Sequence, residues 1–155
     1  MGTDINMFAE YKEDGEWKTC HEWEKVEEIG ERSYTRKLYE DLPEWRNYLL
    51  FGFLAGVRGN IDWFKPRGLP ENMAKNTQET VKYWEQDGHS HSYLFIHELE
   101  ETIPDIKELE MKEMLTNPEG NYDYYHLKNS VKGLINAINV LKGTSDKRIV
   151  FFFDS

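Results

Sequence analysis

The sequence predicts a single α+β domain, built from one largely antiparallel sheet with helices packed mainly on one face. Three observations predict this class: a β-hairpin pattern opens the chain, amphipathic helical patterns fill much of its second half, and a segment rich in aromatic and β-branched residues closes it. The chain has 155 residues, of which 39% are hydrophobic, and it contains no linker rich in proline, glycine or serine. One hydrophobic core therefore accounts for residues 1–155.

The first predicted element is the hairpin. Side chains alternate from Asp4 to Tyr11, so the strand presents two different faces. These faces carry Ile5, Met7 and Ala9 on one side, and Asn6, Phe8 and Glu10 on the other. Asp14-Gly15 has the composition of a two-residue type I′ turn, and the second strand is predicted over Glu16 to Val26.

A helix start signal follows, formed by Asp41, Pro43 and Glu44. The helix is predicted to run to about Val57 and to end at Gly59, and its nearly continuous apolar surface indicates a central position. Residues 61–70 contain two prolines and a glycine, which exclude a long regular element and predict a fixed loop.

A second helix is predicted over Glu71 to Trp84. The segment "HSHS" then opens a predicted central strand from His89 to Phe95, because strict alternation would place His89, His91 and Tyr93 on one face. The two imidazoles would then point in the same direction.

Two further helices and a strand complete the prediction. Thr102 is expected to cap a helix with Pro104 in its first turn, which would end near Thr116. The next helix extends from about Asp123 to Lys142, with an apolar stripe along it and Gly143 as its C-terminal cap. The final segment, "KRIVFFFDS", predicts an interior strand beside the first one.

Composition limits the classes of function. The formal net charge is −10, which disfavours binding to a nucleic-acid backbone. The single cysteine, Cys20, excludes an internal disulfide and a zinc site built from cysteines. No apolar run reaches the roughly 20 residues of a membrane span, and no signal peptide opens the chain, so we expect a cytoplasmic protein without membrane contact.

Six short segments occur in order along the whole chain: "MGTDI", "RNY", "LAGVR", "PRGLP", "HSHS" followed by an aromatic residue, and "RIVFFFD". Together they resemble a family of small phage and prophage proteins that begin with Gly-Thr-Asp-Ile-His, carry His-Ser-His-Ser-Trp and end in a motif like Arg-Ile-Val-Phe-Trp-Phe-Asp. The resemblance implies a phage-encoded protein acting in a bacterial host cell, and no particular chemistry. This chain differs from the pattern at Asn6, where the family has histidine, and at Tyr93, where it has tryptophan.

A His-x-His pair on a strand is one half of a possible transition-metal site, because both rings could reach one ion. The third ligand would come from Asp4, Glu10 or Asp154, which lie on the first and last predicted strands. The absence of a histidine at position 6 weakens this hypothesis, since it removes a potential third imidazole. No metal or other cofactor is predicted firmly.

Several catalytic classes lack sequence support. A two-histidine phosphoesterase needs two separate His-x-Ser/Thr motifs, and no histidine here is followed by Ser or Thr two positions on. There is no Gly-x-Ser-x-Gly elbow and no phosphate-binding glycine-rich loop. Ser90 and Ser92 are also not expected to reach their neighbouring histidines, because adjacent residues of a regular strand face opposite sides.

The leading hypothesis is therefore a binding module for a small anionic, nucleotide-like ligand, with a possible role against host defence signalling. Guanidinium groups bind oxyanions bidentately, and histidine can orient them. The candidate ligand-binding residues are Asn6, Arg46, Arg58, Arg67, His89, His91 and Tyr93.

Two alternatives remain open, and the sequence does not decide whether the protein is an enzyme. One is a hydrolase of a phosphorylated small molecule, which would be metal-dependent or would use His89 or His91 as general acid or base. The other is an acidic protein that inhibits a host protein. Homo-oligomerisation is also left open.

Overall fold

The computed structural model describes residues 2–20, 46–143 and 146–155. Within them, four strands form one antiparallel sheet in the order β2-β1-β4-β3. The strands are β1 (Asp4–Glu13), β2 (Glu16–Thr19), β3 (Gly88–Phe95) and β4 (Arg148–Asp154). The predicted α+β class with an antiparallel sheet is confirmed.

The N-terminal hairpin is also confirmed. β1 pairs with β2 around Asp14 and Gly15, whose φ angles of 52° and 79° are those of a type I′ turn. β2 ends at Thr19 in the described residues, and the remainder of the predicted second strand, from position 21 on, lies outside them.

β4 lies between β1 and β3, as its apolar sequence predicted. β3, which we expected at the centre of the sheet, lies at its edge instead. The loop of residues 61–70 runs beside that edge, because the Gly68 N–H donates to the carbonyl of His91 at 2.9 Å and the Arg67 N–H donates to Ser92 Oγ at 3.0 Å. The bond to His91 satisfies a backbone carbonyl of the edge strand, and the bond to Ser92 satisfies a buried hydroxyl.

The described residues contain four helices: α1 (Tyr48–Ala55), α2 (Lys75–Tyr83), α3 (Ile96–Thr116) and α4 (Asp123–Asn139). The start signal predicted for the first helix at Asp41, Pro43 and Glu44 lies outside the described residues. In the structure α1 begins after Asn47, whose side chain accepts a hydrogen bond from the N–H of Leu50 at 3.1 Å. It ends at Gly56, with φ of 69°, so the predicted end at Gly59 was wrong by one turn.

The predicted start of α3 at Thr102 was wrong as well. The helix begins at Ile96 because the Glu98 carboxylate accepts a hydrogen bond from the N–H of Phe95 at 3.0 Å and so satisfies a donor at the helix start. Pro104 consequently lies inside the helix, while the end at Thr116 agrees with the prediction. α4 ends at Asn139, four residues before the predicted cap Gly143.

The two faces of the sheet are covered differently. We call inner the face that carries Ile149, Phe151 and Phe153, because these residues join one hydrophobic core with buried residues of α1, α3 and α4. In this core Phe51 of α1 meets Phe153 edge-on, with ring centroids 5.2 Å apart. The opposite, outer face carries Glu10 and Arg148 and is covered at that point by the N-terminus of α2.

Glu10 and Arg148 form a buried ion pair on the outer face. Arg148 Nε donates to Glu10 Oε1 at 2.8 Å, and the other carboxylate oxygen accepts from the Ala74 N–H at 2.9 Å and from the Thr77 hydroxyl at 2.6 Å. The Arg148 guanidinium also lies 3.6 Å from the centroid of the Trp17 ring. Glu10 of β1 therefore bonds both β4 and the N-terminus of α2.

Candidate functional site

The HSHS segment contains a β-bulge. His89 is paired with Phe153 and Ser92 with Phe151, so Ser90 and His91 both stand opposite the single residue Phe152. Ser90 adopts a left-handed backbone conformation, with φ of 55°. This is the backbone position that glycine usually occupies in such bulges.

The bulge places the two histidines on opposite faces of the sheet. His89 stacks on Phe153 on the inner face, with ring centroids 6.2 Å apart, whereas His91 stacks on Phe152 on the outer face at 5.2 Å. Phe152 and Phe153 are neighbours in β4 and point in opposite directions. The prediction that His89 and His91 share a face was therefore wrong, because it assumed a regular strand.

The proposed metal ligands do not form a metal site. In the described part of the chain, no three His, Cys, Asp or Glu side chains come together to hold an ion. His89 and His91 point apart, Asp4 pairs with Arg46 at 2.9 Å, and Glu10 lies at the other end of β1 beside Arg148. The donor set does not fit a transition metal, which needs converging ligands.

Five residues instead form a continuous hydrogen-bond chain at the end of the sheet where β1 begins, which we call the sheet-end cluster: Thr3, Arg58, His89, Ser90 and Ser155. Arg58 Nε donates to Thr3 Oγ1 at 2.9 Å, and Thr3 Oγ1 lies 3.1 Å from Ser155 Oγ. Ser155 Oγ lies 3.0 Å from His89 Nε2, and His89 Nδ1 lies 3.0 Å from Ser90 Oγ. One guanidinium, one imidazole and three hydroxyls are thus linked.

Tyr48 at the start of α1 supports the cluster from the inner side. Its hydroxyl accepts a hydrogen bond from the Thr3 N–H at 3.1 Å, and the Arg58 guanidinium lies over its ring, 5.8 Å from the centroid. Thr3 is buried, with 1% of its surface exposed, whereas Arg58 and Ser155 are exposed. The cluster therefore combines one buried residue, Thr3, with two residues that solvent can reach, Arg58 and Ser155.

The backbone of the cluster is unusual in two places. Among the described residues, the non-glycine residues with positive φ are Asp14, Arg58 and Ser90. Asp14 belongs to the hairpin turn, while Arg58, with φ of 61°, and Ser90 belong to the cluster. Left-handed backbone costs a non-glycine residue of the order of 1 kcal/mol and is concentrated at functional sites.

Other predicted site residues lie on the outer face at the same end of the sheet. Asn6 Nδ2 donates to Asp154 Oδ2 at 2.8 Å, and the Arg46 guanidinium pairs with Asp4. Burial raises the pKa of the Asp154 carboxyl, and the negative charges of Asp4 and Asp87 add to this effect while Asn6 and His89 oppose it. Asn6 and Asp154 therefore belong to a group that contains carboxyl side chains, whereas the sheet-end cluster contains a guanidinium, an imidazole and hydroxyls.

Arg67 and Tyr93 are not part of either group. The Arg67 guanidinium forms a two-bond ion pair with Glu98, one bond being 2.8 Å long, and lies 5.6 Å from the centroid of the Tyr93 ring. The hydrogen bonding of the Arg67 guanidinium to the Glu98 carboxylate, which accepts, is the main cause of the raised pKa of Arg67. These contacts lie toward the Phe95 end of β3, so the predicted convergence of Arg46, Arg58 and Arg67 on one ligand does not occur.

Three members of the cluster were missed by sequence reasoning. Thr3 and Ser155 flank the paired residues Asp4 and Asp154, so the predicted pairing of the first and last strands already contained the signal for their contact. Ser90 was considered and dismissed as a partner of His89, because a regular strand was assumed. The bulge is the reason that Ser90 Oγ reaches the ring next to it.

The position of His91 leads to a testable pH dependence. Burial, followed by the charge of His89, lowers the pKa of His91 in the folded protein. As the pH falls through the unfolded-state pKa of about 6.5, the unfolded chain takes up this proton first, so stability is lost on acidification. We expect His91→Gln to reduce the loss of stability between about pH 7 and pH 5, measured as the urea midpoint at each pH.

His126 is a suitable control for this measurement, because it is exposed on α4. His126→Gln makes the same change of side chain on the surface, and so controls for the substitution itself. Equal slopes for the original protein and His91→Gln would contradict the prediction.

Comparisons of the chain with models of known protein families, with curated proteins and with solved structures found no match. None of the helices in the described residues is long and apolar enough to cross a membrane.

Proposed function

We propose that this protein binds a small anionic ligand, of the nucleotide or phosphorylated-metabolite class, at the sheet-end cluster. The observation that carries the proposal is the connection of the Arg58 guanidinium to the His89 imidazole through the hydroxyls of Thr3 and Ser155. These groups lie at one end of the sheet, where Tyr48 contacts Thr3 and Arg58 from the inner side.

The chemistry of the cluster suits an oxyanion. A guanidinium presents several N–H donors in a planar fork that matches the oxygens of a phosphate or a carboxylate. Hydrogen bonds from such a cation to phosphate or carboxylate oxygens are stronger than bonds between neutral groups. Because the whole chain carries a net charge of −10, the affinity for an anion must come from these local contacts and not from long-range attraction.

Backbone strain gives independent support. Arg58 and Ser90 both adopt left-handed conformations although neither is glycine, and both contribute side chains to the cluster. A strained conformation persists only where the surrounding structure fixes it, and it often serves to preorganise a binding site. This agrees with a cluster whose geometry is set before the ligand arrives.

The resemblance to phage proteins suggests where such binding would matter. A phage-encoded protein that binds a nucleotide can remove a signal from the host cell, and we propose sequestration of a host defence signal as the biological role. This role is tested by including cyclic and linear nucleotides among the ligands.

The binding proposal is tested by isothermal titration calorimetry with inorganic phosphate, nucleoside monophosphates and cyclic dinucleotides. Arg58→Gln is expected to weaken binding about 10- to 100-fold, because a hydrogen bond to a charged group contributes about 1.5–3 kcal/mol. The matched control is Arg67→Gln, which removes a guanidinium already paired with Glu98 and should leave the affinity nearly unchanged. No heat from any of these ligands, or equal losses in the two variants, would refute the proposal.

A further inference from the structure

The hydrogen-bond chain of the sheet-end cluster has one bond of fixed direction, because a guanidinium only donates and Thr3 Oγ1 therefore accepts from Arg58 Nε. Thr3 Oγ1 lies 3.1 Å from Ser155 Oγ, and either hydroxyl can be the donor. Ser155 Oγ lies 3.0 Å from His89 Nε2, and His89 Nδ1 lies 3.0 Å from Ser90 Oγ. In the tautomer with its ring hydrogen on Nδ1, His89 donates to Ser90 and accepts from Ser155.

This tautomer gives each group a chemical role. His89 Nε2 then accepts from the Ser155 hydroxyl, and the bond from Nδ1 to Ser90 holds the orientation of the ring. A hydroxyl within hydrogen-bond reach of a base that is itself oriented by a third group is the arrangement of an activated nucleophile. Ser90 here takes the orienting position.

We propose that Ser155 is a nucleophile activated by His89 and that the protein hydrolyses a small ester bearing an anionic group. The proposal rests on the binding function above, since Arg58 would hold the anionic group of the substrate. Ser155 is exposed and His89 is half-buried, so a substrate can approach the hydroxyl from solvent while the base remains in place against Phe153.

The reaction proceeds in two balanced steps. In the first, Ser155 Oγ bonds to the ester carbonyl carbon, its proton passes to His89 Nε2, and the bond to the leaving alcohol breaks as the alcohol takes that proton. In the second, a water molecule gives a proton to His89 and attacks the same carbon. The bond to Ser155 Oγ then breaks, the proton returns to Ser155, and the acid is released.

The nucleophile is tested with an alkyl fluorophosphonate, whose phosphorus bonds to an activated serine while fluoride leaves. Intact-mass measurement is expected to show one adduct, which peptide mapping places on Ser155 and which Ser155→Ala abolishes. Removing a general base slows such a step about 100-fold or more, so His89→Gln should label at least that much more slowly. His91→Gln, which changes the imidazole on the other face, should label at the original rate.

The substrate class is tested by release of nitrophenolate from mono-4-nitrophenyl succinate, an anionic ester, and from the neutral 4-nitrophenyl acetate. We expect turnover of the succinate to exceed that of the acetate, and Arg58→Gln to remove this preference. No adduct, or an adduct that forms equally fast in His89→Gln, would overturn the nucleophile; no preference for the anionic ester would overturn the substrate class.

These outcomes are separable from those of the calorimetry. Binding of phosphate or nucleotide that depends on Arg58, without an adduct on Ser155, would preserve the binding function and overturn the catalytic inference. An adduct on Ser155 without binding of any anion would preserve the nucleophile and overturn the proposed ligand class.

Discussion

Replacing Glu10 by alanine is expected to lower the free energy of unfolding by about 3–5 kcal/mol, the cost of breaking a buried ion pair by removing one partner. Glu10 is fully buried, and its carboxylate is the anionic partner of Arg148, whose side chain is only 5% exposed. The same carboxylate accepts hydrogen bonds from Ala74 and Thr77 at the start of α2. The substitution would leave a buried cation without its counter-charge and two donors without an acceptor.

Chemical denaturation monitored by tryptophan fluorescence measures this effect, and β1 offers a matched control. Glu13 lies on the same strand and pairs with Lys18 at 3.1 Å, but both side chains are about half exposed. Glu13→Ala is therefore expected to change stability by less than about 1 kcal/mol. If Glu10→Ala does not fold, Glu10→Gln keeps the shape and removes only the charge. A loss no larger than that of Glu13→Ala would contradict the prediction.

Much of the fold was predictable because its signals are local. The alternation of β1, the Asp14-Gly15 turn and the aromatic, β-branched sequence of β4 each depend on a few neighbouring residues, and the structure agrees with all three. Helix starts were less predictable. Thr102 and Pro104 resemble a start signal, but Ile96 and Leu99 are buried in the core, and burying them favours a helix that begins earlier.

The site could be predicted only in part, because its geometry depends on contacts between distant segments. His89 and Arg58 were both candidate ligand-binding residues, and the structure places them in one hydrogen-bond chain. The separation of His89 from His91 results from a bulge that no glycine or asparagine at position 90 indicates. The carboxylate partners of Arg46 and Arg67 are likewise set by the tertiary fold. A sequence shows that cations are present, but it does not show which of them are neutralised by a neighbour.

Replacing Gly59 by alanine is expected to destabilise the protein by about 1–3 kcal/mol and, if the proposed anion site exists, to weaken binding there at the same time. A Cβ at Gly59 would lie 2.5 Å from the carbonyl oxygen of Tyr48 and 2.8 Å from Cα of Gly52. Both are backbone atoms of α1, so no side-chain rotation relieves the clash and the chain around position 59 must move away from the helix. Arg58 would then be displaced from Thr3 and from the Tyr48 ring, its contacts in the sheet-end cluster.

Gly133→Ala is the matched control with the opposite expected sign. Gly133 lies within α4, and a Cβ there would meet nothing within 4 Å, so alanine should raise stability by up to about 1 kcal/mol through its helix propensity. Denaturation and calorimetry on both variants separate the two effects. If Gly59→Ala retained the affinity of the original protein, the close packing of α1 against residue 59 would not position Arg58, and the cluster would not be preorganised by that packing.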